Sequence, residues 1–521
     1  MIRRQAQQLA QDAARSSKRR LASQASPLSL AGLPLRLAIV GSGPAGFYAA
    51  GRLLSLPGTQ NVRIDLFEEL PVPFGLVRFG VAPDHPEVKN CQHKFEETAT
   101  DPRFRFFGNV QIGGLVDPDH AYVSPTPAAR ESRQSIALPL DRLQEHYDAV
   151  LLTYGASRDR ELGLAGEDSL QGVLSARSFV HWYNAHPSQP DPTQLDLANT
   201  EHVTIIGQGN VALDCARILL SPIDSLRKTD LPEYVLAQLA RSKVRHVDVV
   251  GRRGPLQIAC TTKELRELLA LPDVAFRTDL NLLAEAQSQL AGSPEMSGAR
   301  MKKRLLDLMR KGTSDGSKSW SLSFLKSPEK LIPSETQFDR LSAVRYRHNA
   351  LELRQGGGGR GGDPSEAKAV PTDSTSIQST DLLLKSVGYR SIGIPGVPFD
   401  EQRGTVRNVD NRVISSNGVK VPGLYTCGWL ARGPNGVIAT TMYGAFGTAE
   451  WIVRDALDRH FEIRDRVPLD PASLSFGPQR KVIDWGSWQK IDHEERRRGA
   501  RLDKPREKIL EVSEMLDIAS G

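Results

Sequence analysis

Cysteine is scarce: Cys91, Cys215, Cys260 and Cys427 are the four in a chain of 521 residues, and no two form a C-x-x-C pair. That excludes a disulfide scaffold, a dithiol redox motif and a local Cys-based zinc site. No apolar run approaches the roughly 18 residues that a membrane-spanning helix needs. The sequence G-x-x-x-x-G-K-[ST] is missing, which argues against a P-loop nucleotidase. No Ser-His-Asp or metal-ligand constellation stands out. Charge of one sign is not in large excess either, with 67 Lys+Arg against 61 Asp+Glu and a formal net charge of +6.

Most of that surplus is local. Residues 1–30 carry Arg3, Arg4, Arg15, Lys18, Arg19 and Arg20 against the single acid Asp12, which accounts for +5 of the +6. An acid-poor, Arg- and Ser-containing segment without a long apolar core reads as a mitochondrial transit peptide rather than a secretory signal. The remaining body is nearly neutral, poor support for a nucleic-acid binder despite a sequence pI near 9.0. What is present is an ordinary globular composition, 39% hydrophobic and 25% charged, in a chain long enough for roughly two to four domains.

Two stretches have the order strand, glycine turn, helix, strand. The first runs from Leu35–Val40 through Gly41-Ser42-Gly43-Pro44-Ala45-Gly46 to a helical pattern over Phe47–Leu56, then a second strand, Val62–Phe67, ending at Glu68. Glu68 lies 22 residues beyond Gly46. Gly41 permits the tight turn, Gly43 lets a pyrophosphate approach, and Gly46 permits close helix–strand packing. The helix N-terminus favours phosphate, and the acid accepts hydrogen bonds from a ribose while repelling a 2′-phosphate. FAD or NAD suits this site. The second stretch is His202–Ile206, Gly207-Gln208-Gly209-Asn210-Val211-Ala212, a helical pattern and the strand Val247–Val250. Here the strand is followed by Gly251-Arg252-Arg253-Gly254, and two guanidiniums suit the 2′-phosphate of NADP(H). The class is therefore α/β, with two doubly wound Rossmann-like dinucleotide-binding domains. Two sites of this kind imply hydride exchange between NADPH and a flavin, which requires no protein nucleophile.

Longer motifs carry a family resemblance. Pro71 to Asn90, Gly207 to Asp214, Gly251 to Gln257, Gly428-Trp429 and Arg432 to Thr441 resemble the mitochondrial adrenodoxin reductase family of ferredoxin–NADP+ reductases, in order and over residues 35 to 518. The resemblance implies a transit peptide over 1–30, an FAD domain in two parts (35–140 and 391–521), and an NADP domain over 141–390 inserted between them. A glycine-rich stretch over 355–380 reads as a loop of that inserted domain. Gly41, Gly43, Ala45, Gly46, Glu68, Leu76, Ile112, Trp429, Gly436, Val437 and Ile438 are the FAD candidates. Those for NADP are Gln208, Gly209, Asn210, Val211, Arg252, Arg253, Glu264 and Gly436. His85 and Asp214 are catalytic candidates, as a proton route or to orient nicotinamide. No metal ligands are expected. The implied partner is a small acidic [2Fe–2S] ferredoxin, for which Lys263, Arg266, Arg300, Lys302, Lys303 and Arg304 form a candidate docking patch. The implied location is the mitochondrial matrix, peripheral on the inner membrane. Two departures from the family pattern are Asn435, where Thr is expected, and the glycine-rich insertion.

Two other readings compete. Another NADPH-linked two-domain flavoprotein, of the disulfide-reductase or glutamate-synthase type, would carry a redox dithiol or cysteine clusters. A non-catalytic nucleotide-binding scaffold would purify without yellow colour, or with a colour that NADPH does not bleach.

Overall fold

The computed structural model describes residues 34–113, 135–189, 195–293, 295–312, 315–353, 363–474 and 481–521. The basic segment 1–30 and the glycine run at 356–362 lie outside them.

Short apolar runs become buried parallel strands, because a strand covered on both faces has no polar side to present. Arg36–Val40 pairs in parallel with Arg63–Phe67 on one side and with Ala149–Leu152 on the other. These three form the middle of a seven-stranded sheet that continues to Phe104–Phe107 at one edge. On the other side it runs through Lys420–Thr426 to the antiparallel pieces Arg412–Ile414 and Asn408–Val409. The helix Pro44–Ser55 packs on this sheet together with the long helix Ile438–Leu457. The chain thus returns to its first unit after a long excursion.

That excursion holds a second sheet of six parallel strands. Their order is Val274–Thr278, Lys318–Ser323, His246–Val250, His202–Ile206, Leu382–Lys385 and Val173–Ser175. The two passages between the units run side by side, where Arg158–Asp159 pairs antiparallel with Tyr389–Arg390. A three-stranded antiparallel sheet, Lys326–Pro333, Leu341–Glu352 and Lys368–Ser379, rests on the second unit.

Two expectations need correction. Ala149–Leu152 falls in the middle segment if the boundary is set at 140/141, but it hydrogen-bonds within the first sheet. The first unit therefore continues past Leu152, because a four-residue apolar run names no partner until the sheets assemble. The composition of 355–380 predicts loop throughout, yet Lys368–Ser379 is a 12-residue edge strand. Its Ser and Thr side chains face water along most of its length, so no apolar alternation marks it, although Thr is a good strand former.

The C-terminal segment bridges the units. The helix Trp485–Arg501 buries Trp488 and Ile491 in the core of the first unit. Beyond it, Lys504 Nζ donates to Leu231 O at 2.7 Å, and Lys508 Nζ lies 3.1 Å from Asp230 of the second unit. Among the described residues no helix is long and apolar enough to cross a membrane.

Candidate active site

The first glycine turn is built around a collision that only glycine avoids. Gly41 has φ +104°, and a Cβ there would lie 2.6 Å from Tyr154 Cα, on the neighbouring strand's exit. Gly43 is the opposite case: a Cβ would meet nothing within 4 Å, so its face is open space in front of the helix Pro44–Ser55. At the end of the next strand, Glu68 accepts hydrogen bonds from Ser42 N at 3.0 Å, Ser42 Oγ at 2.6 Å and Leu70 N at 3.2 Å. Burial raises its carboxyl pKa, and the Ser42 and Leu70 donors oppose that rise.

These groups open onto a cavity that is partly open to solvent. Gly41, Gly43, Ala45, Glu68, Leu76 and Ile112 line it from the first half of the chain. Trp429, Val437 and Ile438 line it from the second, the last two at the start of the helix Ile438–Leu457. Gly46 is not at the wall; a Cβ on it would strike Gly41 O at 2.3 Å, so its role is packing. Gly436 precedes the lining pair, with φ +89°.

The second turn repeats the design. Gly207 has φ +120°, and a Cβ there would lie 2.1 Å from Ser386 O, whereas Gly209 again faces open space. Gln208 donates to Val249 O at 3.1 Å and Ser323 O at 2.9 Å, so its side chain closes the strand ends beneath the turn. Asn210 starts the helix Asn210–Leu220, which also carries Val211, and accepts from Thr261 N at 2.8 Å. Arg252 and Arg253 are both exposed just past the strand His246–Val250, and burial and the neighbouring Arg252 lower the pKa of Arg253.

Where the two units meet, His85 of the first reaches the second. Its Nε2 lies 2.6 Å from Glu267 Oε2 and 3.8 Å from Glu264 Oε2. Asp214 is in the same cluster, 2.7 Å from the buried guanidinium of Arg217. The structure therefore joins both catalytic candidates with Glu264.

The chain has solved and curated relatives. The chain is 43% identical over 495 residues to the mitochondrial NADPH:adrenodoxin oxidoreductase of Drosophila melanogaster, covering 93% of each chain. The Homo sapiens protein of the same name is 39% identical over 496 residues, covering 92% of this chain and 91% of its own. The solved structure of Mycobacterium tuberculosis FprA in complex with NADPH matches at a TM-score of 0.77 and 35% identity, covering 94% of this chain and 100% of that one. No protein-family model matches.

The chain belongs to the NADPH:adrenodoxin oxidoreductase family.

Several cavity residues of this family member carry no local sequence signal. Arg177, His181, His186 and Tyr389 line the cavity from the second unit. His181 and His186 stack at 3.9 Å and 12°. Burial lowers both imidazole pKa values, that of His186 to about 3. Tyr389 stacks on Trp429 at 5.8 Å. Arg177 and His181 are four apart on one helix, the one spacing that could have pointed to them.

The docking candidates divide. Arg266, Arg300, Lys303 and Arg304 are exposed on two helices, Thr262–Leu269 and Ala299–Lys311, that pack together. Lys263 is exposed but bridges to Glu87 of the first unit at 2.7 Å. Lys302 is half-buried, its Nζ donating to Leu256 O at 2.6 Å beside the Arg252-Arg253 turn.

Proposed function

We propose that this chain is an NADPH:ferredoxin oxidoreductase that holds FAD in the large cavity and NADP(H) at the second glycine turn, and passes single electrons to an acidic [2Fe–2S] ferredoxin. The observation that carries the reading is the contrast at matching strand ends: a half-buried carboxylate at Glu68 and two exposed guanidiniums at Arg252 and Arg253. A carboxylate accepts from a ribose diol, and paired guanidiniums bind a 2′-phosphate.

The residues fit both groups. The open faces of Gly43 and Gly209 each stand before a helix N-terminus, where free N–H groups favour a pyrophosphate. When bound, the flavin supplies the conversion of a two-electron hydride into single-electron transfer. The protein's part is positional and electrostatic. Glu68 orients one ribose, and Arg252 with Arg253 select the phosphorylated nucleotide. Trp429 and Tyr389 wall the cavity between the units. The helix Ile438–Leu457 directs its positive end into the same space. His85 and Asp214 act as the proton-handling or nicotinamide-orienting pair, supported by their meeting in one cluster.

The curated relatives are named mitochondrial and named for adrenodoxin. The proposal adds the matrix, with peripheral contact to the inner membrane, and a docking face formed by Arg266, Arg300, Lys303 and Arg304 with Lys263 and Lys302 at its margin. The test is anaerobic addition of NADPH to the purified yellow protein, followed by cytochrome c reduction with and without ferredoxin. Bleaching and ferredoxin-dependent reduction are expected. A colourless protein, or a flavin that NADPH leaves oxidised, sinks the reading.

A further inference from the structure

Arg217 occupies an unusual place in the contact between the units. It lies on the helix Asn210–Leu220 that opens from the second glycine turn, with its side chain 3% exposed. Its Nε donates to Asp84 Oδ2 at 2.5 Å and its Nη2 to Asp84 Oδ1 at 3.1 Å, a two-pronged contact with the loop of the first unit that also carries His85. The same guanidinium reaches Asp214 Oδ1 at 2.7 Å and Glu264 Oε2 at 3.3 Å in the second unit. One buried cation thus holds three carboxylates from three elements.

Its surroundings show what that cation opposes. Asp84 and His85 face the cluster from the loop, Asp214 and Cys215 from Arg217's own helix, and Glu264 and Glu267 from Thr262–Leu269. Tyr183 and Tyr389 feel the charge of Asp214, and Tyr389 is also a wall of the large cavity. Burial raises the carboxyl pKa of Asp214, and Arg217 opposes it; at Glu264, burial and nearby Asp214 raise it while His85 and Arg217 oppose. Buried acids without a paired cation take up a proton instead.

We propose that Arg217 is the positioning residue of the junction: it clamps the His85 loop of the first unit to Asp214 and Glu264 of the second, and keeps negative charge where the nicotinamide end of NADP+ meets the cavity. This rests on the two-nucleotide reading above. It assigns Arg217 no contact with a nucleotide; it acts through the carboxylates and the loop.

The test compares two ligands on the full-length, flavin-loaded protein across the neutral pH range. NADP+ spans both the Arg252-Arg253 end and the junction, whereas 2′,5′-ADP reaches only the former. Arg217→Gln should weaken NADP+ by about tenfold, the size expected when charge-assisted bonds are removed, and move the pH below which affinity falls upward. Binding of 2′,5′-ADP should stay unchanged. Arg217→Lys should restore the pH profile, because a cation is back. Asp84→Asn, which removes the charge from Arg217's contact across the junction, should weaken NADP+ less and keeps the test open should Arg217→Gln fail to fold. An unaltered NADP+ affinity and pH profile overturns the proposal, as does an equal loss for both ligands. If the wild-type protein does not prefer 2′,5′-ADP over 5′-AMP, the nucleotide reading falls and the clamp with it.

Discussion

At the first glycine turn the backbone presses against Tyr154, and at the second against Ser386; in both, the middle glycine looks into open space. The turns are the same device, yet their surroundings differ. The first ends in a half-buried acid and opens into a cavity, partly open to solvent, that is walled by both units. The second ends in two exposed arginines on the outside of one unit. A deep site walled on several sides suits a tightly held group, and an exposed charged site suits a ligand that exchanges. The same turn chemistry sits in different surroundings because the walls come from elsewhere in the chain.

The largest expected effects break one turn and spare the other. Gly41→Val forces a side chain into φ +104° and into Tyr154 Cα at 2.6 Å, costing about 1–3 kcal/mol in backbone strain alone before the collision is counted. The flavin-to-protein ratio should collapse. Gly207→Val, with Ser386 O at 2.1 Å, should instead leave the flavin bound and abolish NADP+ binding, measured by equilibrium titration. Loss of flavin in both variants would mean that the two sites are not separable.

Next in size is the charge contrast. Replacing Arg252 and Arg253 with Ala should reduce discrimination between NADPH and NADH by about 1.5–3 kcal/mol for each charge-assisted bond removed. Flavin content should not move. The ratio of kcat/KM for the two nucleotides is the measurement, and an unchanged ratio contradicts the assignment.

Proton linkage separates buried groups on the two sides of the cavity. Glu68 has a raised carboxyl pKa, so the folded apo-protein holds its proton longer than the unfolded chain. This group's contribution therefore declines as pH rises from the ordinary carboxylate value through the raised one. Glu68→Gln should flatten the thermal-melting profile there. His186 runs the other way. With its pKa lowered to about 3, the unfolded chain takes up the proton first, and stability falls as pH drops from about 6.5 toward that value. His186→Gln should blunt that acid loss; an unchanged melting curve in acid would contradict it.

The smallest effect is at the surface. Reversing Lys303 and Arg304 to Glu should raise the KM for ferredoxin at low salt, fade at high salt, and leave NADPH KM alone. A rise that persists at high salt would indicate damage to the helix rather than the removal of a docking charge.

Much of this was legible along the chain. Both turns, Glu68 and the Arg252-Arg253 pair announce themselves because backbone strain and local charge are encoded within a few neighbouring residues. That Ala149–Leu152 belongs to the first sheet was not legible, because a short apolar run does not name its partner. Lys368–Ser379 was missed, since an edge strand exposed to water needs no apolar alternation. Tyr389 and the histidines His181 and His186 gave no clear signal, because the first unit's cavity walls they face, such as Trp429, lie far away in sequence.

The sequence by itself determined the two glycine turns and the opposite charges beside them, which depend on short-range sterics and adjacent side chains. Only the tertiary structure decided which turn lines the cavity between the units, which histidines line it, and that Asp84, Asp214 and Glu264 converge on Arg217. Those outcomes depend on contacts that only the folded chain makes, such as Asp84 with Arg217, 133 positions apart, and burial exists only once such residues have met.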